Sequence, residues 1–364
     1  MSVLAAIAVL ALLILVHELG HFMAARLQGI HANRFSLGFG PILWKYQGPE
    51  TEYAIRAFPL GGFVGFPDDD PESKFSPDDP NLLRNRPILD RAIVISAGVI
   101  ANLIFAYLVL LIQFGIFGVP AGLNYQPGVL VPKLLSDNSV AALAGIKSGD
   151  IIVAVNKQEL PASKEAISLL MEEIQTNPDR NIQLTIERNN TERVITVKPE
   201  LGSDGKGRIG IQLLPNGTAI YRRPHNIGEI FSLAAEQFQQ IFVGTIKGFV
   251  QLITNFQETA NQVAGPIRIV EAGAKLAQSD IGRLFLFAAL VSINLAIINI
   301  LPLPALDGGQ LAFLLIEALR GGKPLPTHIQ DGVMQTGLML LLGLGIFLIV
   351  RDTTQLEWVQ NLLQ

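Results

Sequence analysis

The chain of 364 residues contains no cysteine. Disulfide scaffolds, thiolate metal sites and cysteine nucleophiles are therefore excluded, and any metal must be held by histidine, carboxylate or water. Charge is scarce as well: Asp, Glu, Lys and Arg make up 16% of the chain, against about a quarter in an average soluble domain. The 27 basic and 31 acidic residues give a net charge of -4 and form no extended basic run, which argues against nucleic acid as a partner. Apolar residues fill the gap, at 49% of the chain with a mean hydropathy of +0.40. That balance is one of a membrane protein.

Four stretches, residues 3–27, 88–119, 284–301 and 333–350, are apolar over the length a helix needs to cross the hydrocarbon core, about 20 residues. The first has no Lys or Arg before its apolar run and carries His17 and His21 inside it, so it reads as a retained span and not as a cleaved secretory signal. The loop after it holds eight basic residues (Arg26, Arg34, Lys45, Arg56, Lys74, Arg84, Arg86 and Arg91). The positive-inside rule predicts that this loop is cytoplasmic and both termini are outside. Parity then puts residues 120–283 outside, and spans one and three run in the same direction.

Between spans two and three the composition changes. Short β-rich runs at 129–131, 151–155, 182–186 and 194–197 and a helical pattern at 164–174 predict a compact α+β or partly open barrel domain of about 90 residues. The stretch 226–263 is apolar but broken by Glu229, Glu236, Lys247 and several Gln. Burying those groups in lipid would cost several kcal/mol each, so a helix lying in the membrane interface is expected there.

The chemistry is carried by His17-Glu18-Leu19-Gly20-His21 inside the first span. Helical spacing stacks the two imidazoles one turn apart on one face, where both can grip one ion, while Glu18 is turned away by about 100° and is free to handle a proton beside it. With 5 histidines in 364 residues, the H-E-x-x-H pattern should arise by chance only about 0.003 times per such chain. Three ionisable groups within one stretch of a transmembrane helix are also functional by default.

Two histidines leave zinc short of a third protein ligand. Asp307, in Asn299-Ile-Leu-Pro302-Leu-Pro304-Ala-Leu-Asp307-Gly308-Gly309, is the candidate. The two prolines stop the helix of span three and the glycines permit a tight turn. Span direction brings Asp307 to the same depth as His17, near the cytoplasmic face. The alternative is an N-cap for the helical run beginning at Gln310, and one carboxylate could cap and ligate through different oxygens.

These residues resemble the site-2 protease family of intramembrane zinc metalloproteases, in particular the bacterial regulators of sigma-factor signalling. The likeness rests on HELGH in span one, Gly38-Phe-Gly-Pro41 and Pro59-Leu-Gly-Gly-Phe63 in the first loop, and Asn299 to Gly308 in span three. It implies that His17, His21 and Asp307 bind Zn2+, that Glu18 is the catalytic acid/base, and that Asn299 helps hold substrate. The GFGP and PLGGF segments, with Gly61 and Gly62, would form membrane-associated β structure to which an unwound substrate strand is added. Gly98-Val-Ile-Ala-Asn102 resembles a family G-x-x-x-N pattern, so Asn102 would face the site unless it only bonds between helices.

The outer domain resembles a bacterial PDZ domain through Ala144 to Asn156, with Gly128, Val129 and Leu130 as its peptide-carboxylate loop. Taken together, the expected fold is a polytopic α-helical membrane protein: four transmembrane helices, membrane-associated β segments and one inserted α+β PDZ-like domain. The divisions fall at 1–119, 120–216, 217–283 and 284–364. The partners implied are single-span membrane protein substrates, peptide C-termini and the lipid bilayer, in a bacterial inner membrane. A catalytically silent PDZ scaffold competes with this reading, as does a transporter, although neither explains H-E-x-x-H with Asp307.

Overall fold

The computed structural model describes residues 2–70, 73–136, 138–202, 205–256, 263–279 and 281–354. Two compact units emerge, one of residues 1–117 with 224–364 and one of 118–223.

In the first unit, four helices have the length and apolarity to cross a membrane. They are α1 (Ser2–Leu27), α2 (Ile88–Ile116), α7 (Ile281–Ile300) and α9 (Thr327–Thr354). α1 and α2 pack closely because Gly20 has no side chain. A Cβ there would lie 2.4 Å from the carbonyl oxygen of Ala97 and 2.8 Å from the Cβ of Ala101. Small residues on facing helices are the usual route to tight packing in lipid, where no hydrophobic drive separates helix from tail.

Between α1 and α2 the chain forms β1 (Arg34–Gln47) and β2 (Glu52–Gly65). Each bends on itself, so two strands supply four sheet segments. Residues 34–37 run parallel to 52–55 and antiparallel to 62–65, while 42–47 pairs antiparallel with 52–56. The bend in β1 falls at Gly38 and Gly40, with φ of +89° and +84°, values open to glycine at no steric cost. Both loop motifs expected to form β structure lie in these strands, and 62–65 is an edge of the sheet.

The remaining helices of this unit are α5 (Ile227–Thr254), α6 (Pro266–Ser279) and α8 (Asp307–Leu319). α5 starts on a cap, Asn226 Oδ1 accepting from Glu229 N at 2.8 Å, and rests against α2 through Tyr107, whose hydroxyl donates to Phe231 O at 3.2 Å. The helix expected over 226–263 is thus formed as far as Thr254; residues 257–262 lie outside the described ones.

The second unit is an α+β domain. It comprises β3 (Val119–Leu130), α3 (Val140–Leu143), β4 (Ile151–Val155), β5 (Gln158–Glu159), α4 (Glu165–Thr176), β6 (Ile182–Arg188), β7 (Thr191–Val197), β8 (Glu200–Leu201), β9 (Gly207–Arg208) and β10 (Leu214–Arg222). The main sheet has the order β10-β3-β4-β6-β7, antiparallel throughout, with β5 paired to β4. Its core is aliphatic, with Val129, Ile152, Leu170, Leu184 and Ile186 at 0% exposure. β10 carries the unit beyond the boundary expected at 216.

One buried charge in this unit needs a partner and has it. Asp150 is 1% exposed and receives Nε and Nη2 of Arg188 at 2.6 and 2.7 Å. Removing one member of a buried pair leaves the other uncompensated. Arg188→Leu should therefore lower the unfolding free energy of this unit, expressed as residues 118–223, by about 3 kcal/mol in urea melts. An unchanged midpoint would show that the pair is solvated.

Candidate metal centre

His17 and His21 stand one helical turn apart on α1 with perpendicular rings 4.8 Å apart. Their Nε2 atoms are 3.3 Å from each other. The third corner comes from α8: Asp307 Oδ2 lies 3.3 Å from His17 Nε2 and 3.4 Å from His21 Nε2. Among the described residues these three make the one group of His and acidic side chains able to hold a metal ion.

The chain delivers Asp307 to this point by a sharp reversal. α7 stops at Ile300, ahead of Pro302 and Pro304, and Ala305 takes a φ of +67°, a left-handed conformation that costs a non-glycine residue about 1–2 kcal/mol. Gly308 and Gly309 let α8 fold back onto this turn: a Cβ at either would lie 2.1 Å from Leu301 O or 2.3 Å from Leu303 O. Asp307 is the first residue of α8, whereas the cap position belongs to Leu306 and carries no side-chain bond. The capping alternative is thus set aside, and the carboxylate turns to the histidines.

The donor set fits a divalent ion. His21 Nδ1 lies 2.8 Å from Val94 O, and a carbonyl only accepts, so this nitrogen carries the proton and Nε2 presents a lone pair. Asp307 Oδ2 is buried and without a hydrogen-bond partner. The Nε2 lone pair of His21 and the Asp307 carboxylate, 3.4 Å apart, repel unless a cation lies between them. Moreover, three edges of 3.3, 3.3 and 3.4 Å are those of a tetrahedron with a centre-to-corner distance of about 2.0 Å, the reach of zinc to imidazole nitrogen and carboxylate oxygen. The fourth corner is left for water or substrate.

Glycines make the room. On α2, a Cβ at Gly98 would meet His21 Nε2 at 2.3 Å and His17 Cε1 at 2.7 Å, so α2 can lie against both rings only because this residue has no side chain. Gly62, in the edge segment of β2, stands in the same relation to Glu18, whose Cγ would be 2.8 Å from an added Cβ. The neighbouring Gly61 has a φ of +142°. Glu18 is not one of the three converging groups but lines the same cavity, of about 880 Å³, with Asn299 and residues 61–64 of β2.

The expected site residues thus divide. His17, His21 and Asp307 meet at one point, with Glu18, Gly61, Gly62 and Asn299 around it; Asn299 Nδ2 is 3.2 Å from His17 Nε2. Asn102 is behind the site, its amide 3.4 Å from His17 Nδ1. Gly128, Val129 and Leu130 do not form a loop. They end β3, where Val129 pairs with Pro215 and Ile152 and Leu130 with Leu214 and Ile151. A carboxylate loop needs free backbone N–H groups, and a strand paired on both sides does not present them.

Two features had no signal in the sequence. One is the Val94 carbonyl that sets the tautomer of His21. The other is the forked ion pair in the cavity lining, where Nη1 and Nη2 of Arg91 on α2 donate to the carboxylate of Glu317 on α8, the two side chains being 16% and 9% exposed. It ties the helix that carries Asp307 to the helix that lies against the histidines.

The sequence matches the profile of peptidase family M50 over residues 5–344. A relative from Nostoc sp. strain PCC 7120, provisionally named as a zinc metalloprotease, is 66% identical over the whole of both chains. The regulator of sigma-W protease of Bacillus subtilis is 28% identical over 98% of this chain and 99% of its own. Among solved structures, the PDZ domain of an SdrC-like protein from Listeria monocytogenes overlays 24% of this chain and 87% of its own at 19% identity, with a TM-score of 0.21.

Two substitutions test the geometry. Asp307→Ala removes one corner and should lower bound metal per chain to near zero, measured by elemental analysis of purified protein. Gly98→Ala should do the same while leaving all three ligands in place, because its methyl group enters the space of both rings. Full metal content in the alanine variant at 98 would mean that α2 is not held against the histidines.

Proposed function

The chain belongs to peptidase family M50, and from that premise we propose that it cleaves a peptide bond in or beside the transmembrane segment of single-span proteins, with anti-sigma factors as the substrate class. It is a multi-pass membrane metalloprotease of the site-2 type. The observation that carries the reading is the meeting of His17, His21 and Asp307 beside Glu18 in one cavity.

The two imidazoles and the carboxylate would hold Zn2+. When bound, that ion supplies Lewis acidity, acidifying water and polarising a peptide carbonyl. Glu18 takes the proton from the attacking water and delivers it to the departing amine nitrogen. Asn299 offers an amide N–H at the edge of the ligand cluster, where it can support charge developing on the carbonyl oxygen. A helical substrate hides its carbonyls in its own hydrogen bonds and must unwind first. The edge segment 62–65 has backbone groups with which such an extended strand can pair, and Gly62 keeps that edge close to Glu18.

The eight basic residues of the first loop support a cytoplasmic position for this sheet and for the catalytic end of α1, in the bacterial inner membrane. The unit 118–223 then lies outside and, as a PDZ-like domain, receives peptide C-termini. Since β3 is paired on both sides, the segment 207–213, which runs beside the C-terminal end of α4 at Gly207 and Ile174, is a better candidate for that contact than Gly128 to Leu130.

Glu18→Gln should reduce cleavage of a reconstituted single-span substrate by about a thousandfold, the usual contribution of a general acid/base, while metal content stays at the parent value. Equal cleavage by the variant and the parent would remove Glu18 from the chemistry.

A further inference from the structure

Asn102 sits one turn after Gly98 on α2 and is fully buried. Its amide nitrogen lies 3.4 Å from His17 Nδ1, the ring nitrogen that does not face Asp307, and its Oδ1 is buried without a partner. If His17 holds a metal through Nε2, the neutral ring carries its proton on Nδ1. Two donors then face each other and a buried acceptor goes unused. A half-turn of the carboxamide, whose two ends are the same size, removes both faults at once.

The geometry points to that arrangement: Asn102 Oδ1 accepts from His17 Nδ1–H and fixes the ring with Nε2 toward Asp307, as Val94 O does for His21. Asn102 is then a positioning residue that acts through His17, and not part of the substrate subsite expected from the sequence. Its own position is held from a third helix. Ser292 of α7, also fully buried, donates its hydroxyl to the backbone carbonyl of Asn102 at 2.8 Å. Both ligands from α1 thus have their tautomers set by α2, His21 by a backbone carbonyl and His17 by a side chain. The latter is open to substitution.

The inference rests on the metal reading of the site, and one experiment separates the two. Zinc affinity of the purified full chain in detergent is measured by competition with a chelator, together with KM and kcat at saturating zinc, for the parent, Asn102→Leu and Asn102→Asp. Losing the acceptor in Asn102→Leu should weaken zinc binding about 10- to 100-fold, the usual effect of removing a partner of a metal-bound histidine, with KM of the zinc-loaded enzyme unchanged. Asn102→Asp keeps an acceptor of the same shape and should bind zinc at least as tightly as the parent. Unchanged zinc affinity in Asn102→Leu, or a raised KM with unchanged affinity, overturns the proposal in favour of a substrate contact. Should the leucine variant fail to fold, the aspartate variant decides: retained zinc supports the proposal and weakened zinc overturns it. A parent that binds no zinc would overturn the metal reading itself.

Discussion

Two imidazole nitrogens and one carboxylate oxygen meet inside this protein, close enough to share one cation. His17 Nε2, His21 Nε2 and Asp307 Oδ2 are 3.3 to 3.4 Å apart, an arrangement that costs energy until a cation occupies its centre. Much of the first unit reads as the means of holding it. α1 supplies two ligands at helical spacing, the Pro and Gly residues after α7 reverse the chain so that α8 begins on the third, and Ala305 absorbs the reversal in a left-handed conformation. Strain of this kind persists only where the surroundings over-determine it.

α2 supplies no ligand, yet it organises the centre. Its surface toward α1 is stripped to backbone at Gly98, and its Ala97 and Ala101 accept Gly20 of α1 in return. Close approach exposes backbone carbonyls and short side chains to the imidazoles, which is how Val94 and Asn102 come to face their Nδ1 atoms. The fork between Arg91 and Glu317 then ties α8 to the same helix. Such a buried pair is weak support for stability, since removing two charges from water can cost as much as their attraction returns. Its value here is in fixing one helix relative to another.

The sequence made the chemistry more legible than its support. Four spans could be read from length and apolarity, and His17, Glu18 and His21 from a spacing that has meaning only on a helix. Asp307 could be read because Pro302, Pro304, Gly308 and Gly309 announce a broken helix and a turn beside it. What escaped was set by contacts between residues far apart in the chain. No local pattern links Arg91 to Glu317, or says that the Val94 carbonyl faces a ring on another helix. Bending of β1 and β2 into four segments was likewise hidden, since alternation marks a strand but not where it folds on itself. A carboxylate loop at Gly128 to Leu130 is expected only through the likeness to a PDZ domain, whereas pairing of Val129 and Leu130 on both edges makes the segment the end of a central strand.

α1 and α8 together bring two imidazoles and one carboxylate to one metal site. X-ray absorption at the zinc edge of the purified, zinc-loaded protein tests it most directly. The expected spectrum shows a shell of four nitrogen and oxygen neighbours at about 2.0 Å, with outer scattering from two imidazole rings. A six-coordinate oxygen shell, or scattering from fewer than two rings, would contradict it.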